Sequence, residues 1–565
     1  MLRALFSLVP LITLAGALPQ VKLGKATVVG QDVSDKVEFF GGIPFAEPPL
    51  GELRLKPPVL KTQLPPTTFN ASSYRNACIQ PPFFGLPAPP QSEDCLSINI
   101  FRPAGIAPTA RLPIFVAIDL TYHCFSYGGG FALGSSMLFD AKDLVARSIE
   151  RGKEGSHKRL MSTEEPSYIL HTAGDMGALN LGLRDQLAAL EWVQANIHAF
   201  GGDKNKVTIF GESAGAMSTG LLYLNPQLEK LARAAIFESG SSNGLAAFPA
   251  ARNDNLWKGF VEKVPSCSNL ASSGDTFTCL KTASIEEITA AINDSAEELR
   301  LLQWGPTLDA GRDGIYSDYP SRLYEKGHFA RLPFIAGTNR DEGTLFAIQT
   351  KLSDEDLKDM LVIQHSPAIT SQVGLNSTVD KILELYPDDP TIGSPYGTGA
   401  ELFGLPSSYK RHASLCEFIL PISCANELTV VSVGDITFAA PRRQWSQAAA
   451  KAGVKSYGYL FTQPQPSQPL GVTHGAEVPY VYAQPPPTDS AGQGMSAIIA
   501  DYWISFTVSL DPNDGKGVKR PEWPQYTTKN QVLLQLEGGN TTVIKDDFRK
   551  EQIGFLIKNS LILRR

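Results

Sequence analysis

Apolar, β-rich runs alternate with stretches of helical periodicity through the first half of the chain. The pattern predicts strands at 97–101, 114–118, 207–210, 234–237 and 332–336. Between them, Leu183, Leu187, Leu190, Val193 and Ile197 recur at helical spacing and predict an amphipathic helix over 183–197. Strands separated by helices in this way make a mainly parallel sheet with crossover helices, an α/β fold. The second half is looser, with turn-rich connections at 463–469 and 484–487. A helix is expected over 495–508, with Ile499, Trp503 and Phe506 facing the core. No repeat and no linker cuts the pattern, so residues 18–565 read as a single domain.

The first 17 residues stand apart. Arg3 supplies a positive start, residues 5–14 an apolar run broken by Pro10, and Ala15-Gly16-Ala17 a small-residue cleavage site. Residues 1–17 are therefore read as a secretory leader, with the mature chain starting near Leu18. No later stretch approaches the ~18 uncharged apolar residues that span a bilayer. With 43% apolar and 19% charged residues, and 49 Gly and 41 Pro scattered rather than clustered, disordered, collagenous and coiled-coil classes are excluded. Fifty basic against fifty-seven acidic side chains give a net charge of -7 with no basic stripe, which sets nucleic acid aside as a partner.

Export agrees with four N-x-S/T acceptors, Asn70, Asn293, Asn376 and Asn540, in polar or turn-like settings. In an oxidising compartment Cys78 with Cys95, and Cys267 with Cys279, are short-range pairs that each close a small surface loop. A loop near fifteen residues is stabilised by about 3 kcal/mol in the chain-entropy model. Cys124, Cys416 and Cys424 are left over.

Two pentapeptides fit G-x-S-x-G, the strand-to-helix turn that lifts a serine above the edge of an α/β sheet: Gly211-Glu212-Ser213-Ala214-Gly215 and Gly240-Ser241-Ser242-Asn243-Gly244. Context separates them. Ser213 follows the strand at 207–210 and precedes a helix-compatible run to Leu224, whereas the second match leads into a Gly/Pro-punctuated loop. Small neighbours suit Ser213, because the strained turn tolerates little bulk. In this fold the base and its orienting acid follow in the order Ser, Asp or Glu, His. Of eight histidines that order leaves His365, His412 and His474. His474 lies in a Gly-flanked loop ahead of the apolar run 478–482, where an imidazole can project from a strand edge; His365 and His412 read as surface histidines. For the acid, Asp341 and Glu342 both follow the strand at 332–336, and spacing does not separate them.

The run from Phe200 to Gly215, Phe-Gly-Gly-Asp-Lys-Asn-Lys-Val-Thr-Ile-Phe-Gly-Glu-Ser-Ala-Gly, resembles the nucleophile signature of the type-B carboxylesterase/lipase family, the cholinesterase-like branch of the α/β hydrolases. Glu93-Asp94-Cys95-Leu96-Ser97-Ile98-Asn99-Ile100 resembles its second signature, Gly42 to Pro49 its N-terminal segment, and Asn180 to Gln186 the helix before the nucleophile strand. The resemblance implies an α/β-hydrolase fold and ester hydrolysis through Ser213, Glu342 and His474. It also implies an oxyanion hole from the backbone N–H groups of Gly129, Gly130 and Ala214. No cofactor and no metal is implied: there is no H-E-x-x-H, and residues 511–515 miss the calcium-loop spacing. The substrate implied is a small-molecule or lipid ester. The short loop between Cys78 and Cys95 points to a carboxylesterase rather than a longer-lidded interfacial lipase, and its lack of tryptophan argues against choline esters.

The chain departs from that family in three places. Inserts at 119–126, beside the glycine triplet, and at 416–432 carry all three surplus cysteines. Where the family has a hydrophobic central strand, residues 154–170 are polar and charged, a poor sequence for a buried parallel strand, so that strand is expected to be disrupted. These features read as retained introns or a frame error in the gene, and leave a catalytically silent cholinesterase-like protein as the competing class. Transcripts running unbroken through codons 119–126 and 154–170 would refute the gene-error reading.

Overall fold

The computed structural model describes residues 18–81, 89–118, 129–131, 134–138, 140–151, 159–163, 177–273, 275–298, 305–311, 314–415 and 434–565. The expected leader, both inserts with Cys124, Cys416 and Cys424, and all of 154–170 except 159–163 lie outside these residues. Three short strands, β1 (Gln20–Leu23), β2 (Ala26–Val29) and β5 (Thr68–Asn70), form a small sheet. The large sheet has eleven strands. From one edge to the other, numbered by chain order, they are β3 (Gln31–Ser34), β4 (Val37–Pro44), β6 (Ser97–Pro103), β8 (Arg159–Thr163), β7 (Leu112–Ile118), β9 (Gly202–Glu212), β10 (Ala234–Glu238), β11 (Phe334–Asn339), β12 (Ser456–Phe461), β13 (Val532–Leu536) and β14 (Thr542–Lys545). Pairing is parallel from β8 through β13 and antiparallel on both flanks. Each of the five expected strands is present; β11 starts at Phe334, after Pro333, and runs on to Asn339. The expected helices are Leu181–Asn196 and Ser490–Ser509, and a third, Ala214–Tyr223, follows β9 directly.

One expectation is corrected. The slot assigned to a disrupted strand holds β8, paired parallel with β7 from Ile114↔Arg159 to Ile118↔Thr163 and antiparallel with β6. Sheet ladders are made of backbone N–H and C=O groups, so a slot flanked by two strands accepts a segment without a Val/Ile/Leu run. The strand is short, five residues against seven in β6 and in β7.

Aromatic side chains pack both faces of the sheet. On one, Trp445 stacks on Phe334 with ring centroids 5.0 Å apart and meets Phe237 and Tyr223 edge-on. On the other, Tyr459 packs against Trp503 at 5.3 Å. Gly337 in β11 makes room for that ring: a Cβ there would fall 2.2 Å from two carbons of Tyr459, its partner in the β11–β12 register. Tyr459 is fully buried, so it cannot swing aside. Gly337→Ala is expected to cost about 1–3 kcal/mol of unfolding free energy, read as a lower urea midpoint.

Both disulfides, Cys78–Cys95 and Cys267–Cys279, are formed. Glu93 and Asp94, beside Cys95, are held by Arg54 and Arg75 at 2.6 and 2.8 Å, which gives the second signature a structural use. Of the glycosylation acceptors, Asn70 and Asn540 are exposed. Asn293 and Asn376 lie within the helices Ile285–Glu298 and Gln372–Leu385, and Ser295 of the Asn293 triplet is buried. Among the described residues no helix is long and apolar enough to cross a membrane.

Candidate active site

The parallel strands β9, β10, β11 and β12 end on one edge of the sheet, and the expected site residues are found there. Ser213 follows β9 without a connecting residue and caps the helix Ala214–Tyr223. Its backbone has φ 53° and ψ -122°, a region L-residues avoid. Main-chain bonds hold the turn: Ser213 N–H donates to Glu238 O at 2.9 Å, and Met217 N–H donates to Ser213 O at 2.8 Å.

The second pentapeptide packs behind this turn. A Cβ on Gly240 would lie 2.5 Å from Ser213 O, and one on Gly220 would lie 2.3 Å from Ser242 N. Ser241 donates to Asn243, and Ser242 shares a short bond with Tyr324. Gly240 to Gly244 is a buried cradle for the Ser213 turn, and its serines are spent on structure.

Glu342 sits three residues beyond the end of β11. Its Oε1 accepts from Asn339 N–H at 2.7 Å, and its Oε2 lies 2.6 Å from His474 Nδ1. The other ring nitrogen, Nε2, is 3.1 Å from Glu212 Oε1, on the residue just before Ser213. His474 is fully buried, stacked on Phe438 at 4.6 Å and against Phe346 at 5.2 Å. Among the described residues no hydrogen bond joins Ser213 to His474; catalytic bonds of this type often tighten only in the substrate complex. Asp341 turns elsewhere. Its two oxygens accept from the backbone N–H groups of Tyr396 at 2.7 Å and Val472 at 2.9 Å. The apolar run after His474 is a short helix, Val478–Val481, rather than the expected strand, with Pro479 in its first turn.

The other two histidines are corrected from surface to interior: His365 and His412 are fully buried. Burial pushes each imidazole down to about 3, so both stay neutral. His412 Nδ1 accepts from Ile348 N–H at 2.8 Å, and His365 Nδ1 meets Leu361 O at 2.8 Å.

Gly129 and Gly130 have φ of 59° and 57°. The adjoining Phe131 packs in one small apolar cluster with Ala214, Met217, Phe346 and Phe438, so the glycines lie beside the start of the Ser213 helix. Left-handed backbone of this sort turns successive N–H groups toward one side, where glycine carries no steric cost.

Beside Glu342, sequence reading missed three further carboxylates near the imidazole, Glu212, Glu238 and Glu477. Glu212, Glu238, Glu342 and Glu477 are each no more than 5% exposed. Glu212 and Glu238 are register partners across β9 and β10, and each precedes a serine, a repeated Glu-Ser at strand ends that is visible in the sequence. Glu477 accepts from Ser239 Oγ at 3.0 Å and from Asn339 Nδ2. Burial, then the charge of Glu342, raise its carboxyl to about 7. The folded chain therefore holds a proton that the unfolded chain releases near pH 4.5, and stability contributed by Glu477 falls as pH rises from about 4.5 to 7. Glu477→Gln is expected to flatten the decline of the melting temperature across that window; an unchanged slope would place the titration elsewhere.

Comparison with known proteins adds the following. The sequence model described as "Carboxylesterase family" matches residues 17–149, 169–397 and 423–556, leaving out 150–168, where the polar segment falls, and 398–422. Lipase 2 of Geotrichum candidum is 30% identical, with 96% of this chain and 96% of that protein covered. Secreted lipase 1 of Botryotinia fuckeliana is 31% identical, covering 96% of this chain and 93% of its own length. The crystal structure of Aspergillus niger EstA superposes with a TM-score of 0.77 over 97% of this chain and 99% of that one, at 23% identity.

Proposed function

This chain belongs to the carboxylesterase family, whose chemistry is carboxylic ester hydrolysis, and on that premise we propose that it works through a serine acyl-enzyme built on Ser213, His474 and Glu342. The observation that carries the reading is the 2.6 Å contact of His474 Nδ1 with Glu342 Oε2 on the sheet edge where Ser213 caps its helix. Ser213 Oγ attacks the ester carbonyl as His474 Nε2 takes its proton. Glu342 accepts the Nδ1–H bond, fixes the ring tautomer and stabilises the imidazolium. The N–H groups of Gly129, Gly130 and Ala214 bind the oxyanion, the alcohol leaves with the proton from His474, and water releases the acid.

A fluorophosphonate ester tests this. Stoichiometric loss of p-nitrophenyl butyrate hydrolysis, with the added mass on the peptide carrying Ser213, is the expected result; label on Ser241 or Ser242 would sink the assignment. A lipid substrate is the second reading, favoured by the relatives that are lipases, one a secreted triacylglycerol lipase of Gibberella zeae. Rates on dissolved tributyrin against emulsified triolein separate the two. Export to the cell exterior is proposed with it, on the secreted relatives and the two disulfides.

A further inference from the structure

A cavity of about 100 Å³ lies against the Cys78–Cys95 disulfide. Its wall is apolar, formed chiefly by Val59, Leu181, Trp257, Phe260, Leu280 and Ile288. None of the residues proposed for ester hydrolysis lines it. Five charged residues also line it, Glu47, Arg54, Lys56, Glu93 and Asp185; Asp185, on the first turns of the helix Leu181–Asn196, is 7% exposed.

Asp185 has no hydrogen bond or ion pair among the described residues, while the other charges around the cavity are matched. Arg54 binds both oxygens of Glu93, at 2.6 and 2.7 Å, and spends Nη1 on the carbonyls of Leu280 and Ala283. Glu47 pairs with Lys61, and Lys56 and Lys281 face Glu52. Between Arg159 and Arg184 the sequence contains no lysine or arginine. A buried carboxyl without a partner costs free energy that a bound cation would recover. Burial holds Asp185 well above the usual carboxylate range.

We propose that this cavity is a binding site for an amphiphilic amine, its ammonium on Asp185 and its apolar body against Trp257, Phe260 and Ile288. The site is separate from the hydrolytic reading and does not depend on it.

Calorimetry on the full chain with n-octylammonium, n-octanol and octanoate tests the proposal. The ammonium is expected to bind about tenfold or more tighter than the alcohol and the carboxylate. Asp185→Asn should bring the ammonium down to the level of the alcohol, and Ile288→Trp, which fills the mouth, should weaken all three. Ser213→Ala should change none of this, which keeps the result distinct from the hydrolytic assignment. Equal affinity for octanol, undiminished preference in Asp185→Asn, or full binding in Ile288→Trp would each overturn it.

Discussion

Replacing His474 with alanine is expected to lower kcat for a short p-nitrophenyl ester by about a millionfold, the loss that removing the base causes in the serine protease subtilisin. A serine hydroxyl is a weak nucleophile at its free pKa, and without a positioned base only oxyanion and binding contributions remain. Neither of the other two candidate imidazoles can substitute. His365 and His412 are enclosed elsewhere, each with Nδ1 committed to a backbone group and each held neutral by burial. His412→Ala supplies the contrast: it leaves Ile348 N–H without its acceptor, costing about 1–3 kcal/mol of stability, with kcat within about tenfold of the parent. Near-UV circular dichroism shows whether each variant keeps its packing. A folded His474→Ala variant with a thousandth or more of the parental kcat would end the assignment.

Those three histidines show where sequence reading succeeds and where it stops. Chain order isolated them because the fold dictates the order of acid and base. It said nothing of burial, and polar neighbours in sequence suggested a surface for two that lie in the interior. A buried neutral imidazole needs only one backbone partner, a contact that leaves no pattern in the sequence. The strands were legible because buried parallel strands are apolar runs bounded by turns. β8 was not, since its place is set by the main-chain groups of β6 and β7 on either side. The helix at Val478–Val481 was missed for a related reason: four apolar residues carry too little periodicity to tell helix from strand. Glu477 stood in view, three residues past His474, but its role appears only when Ser239, just after β10, and Asn339, at the end of β11, converge on it.

The neighbouring acids at 341 and 342 are the case in which spacing left two answers and geometry divides the labour between them. Glu342→Gln is expected to lower kcat by about ten-thousandfold while leaving the melting temperature nearly unchanged. The amide oxygen still accepts from Asn339 N–H, but the amide N–H now donates to His474 Nδ1. The ring proton is then forced onto Nε2, and the nitrogen that must accept from serine is blocked. Asp341→Asn should do the reverse. Both its oxygens accept backbone N–H groups, from Tyr396 and Val472, and Asp341 N–H in turn donates to Val472 O at 3.0 Å, so the residue ties the His474 loop to the Glu342 turn. An amide there sets one N–H against another, at about 1–3 kcal/mol, seen as a lower melting temperature with a rate loss of about tenfold or less. Gly471 is part of the same clasp, since a Cβ on it would come 2.5 Å from Asp341 Oδ2. If Asp341→Asn proved the slower enzyme and Glu342→Gln the less stable one, the two roles would have to be exchanged.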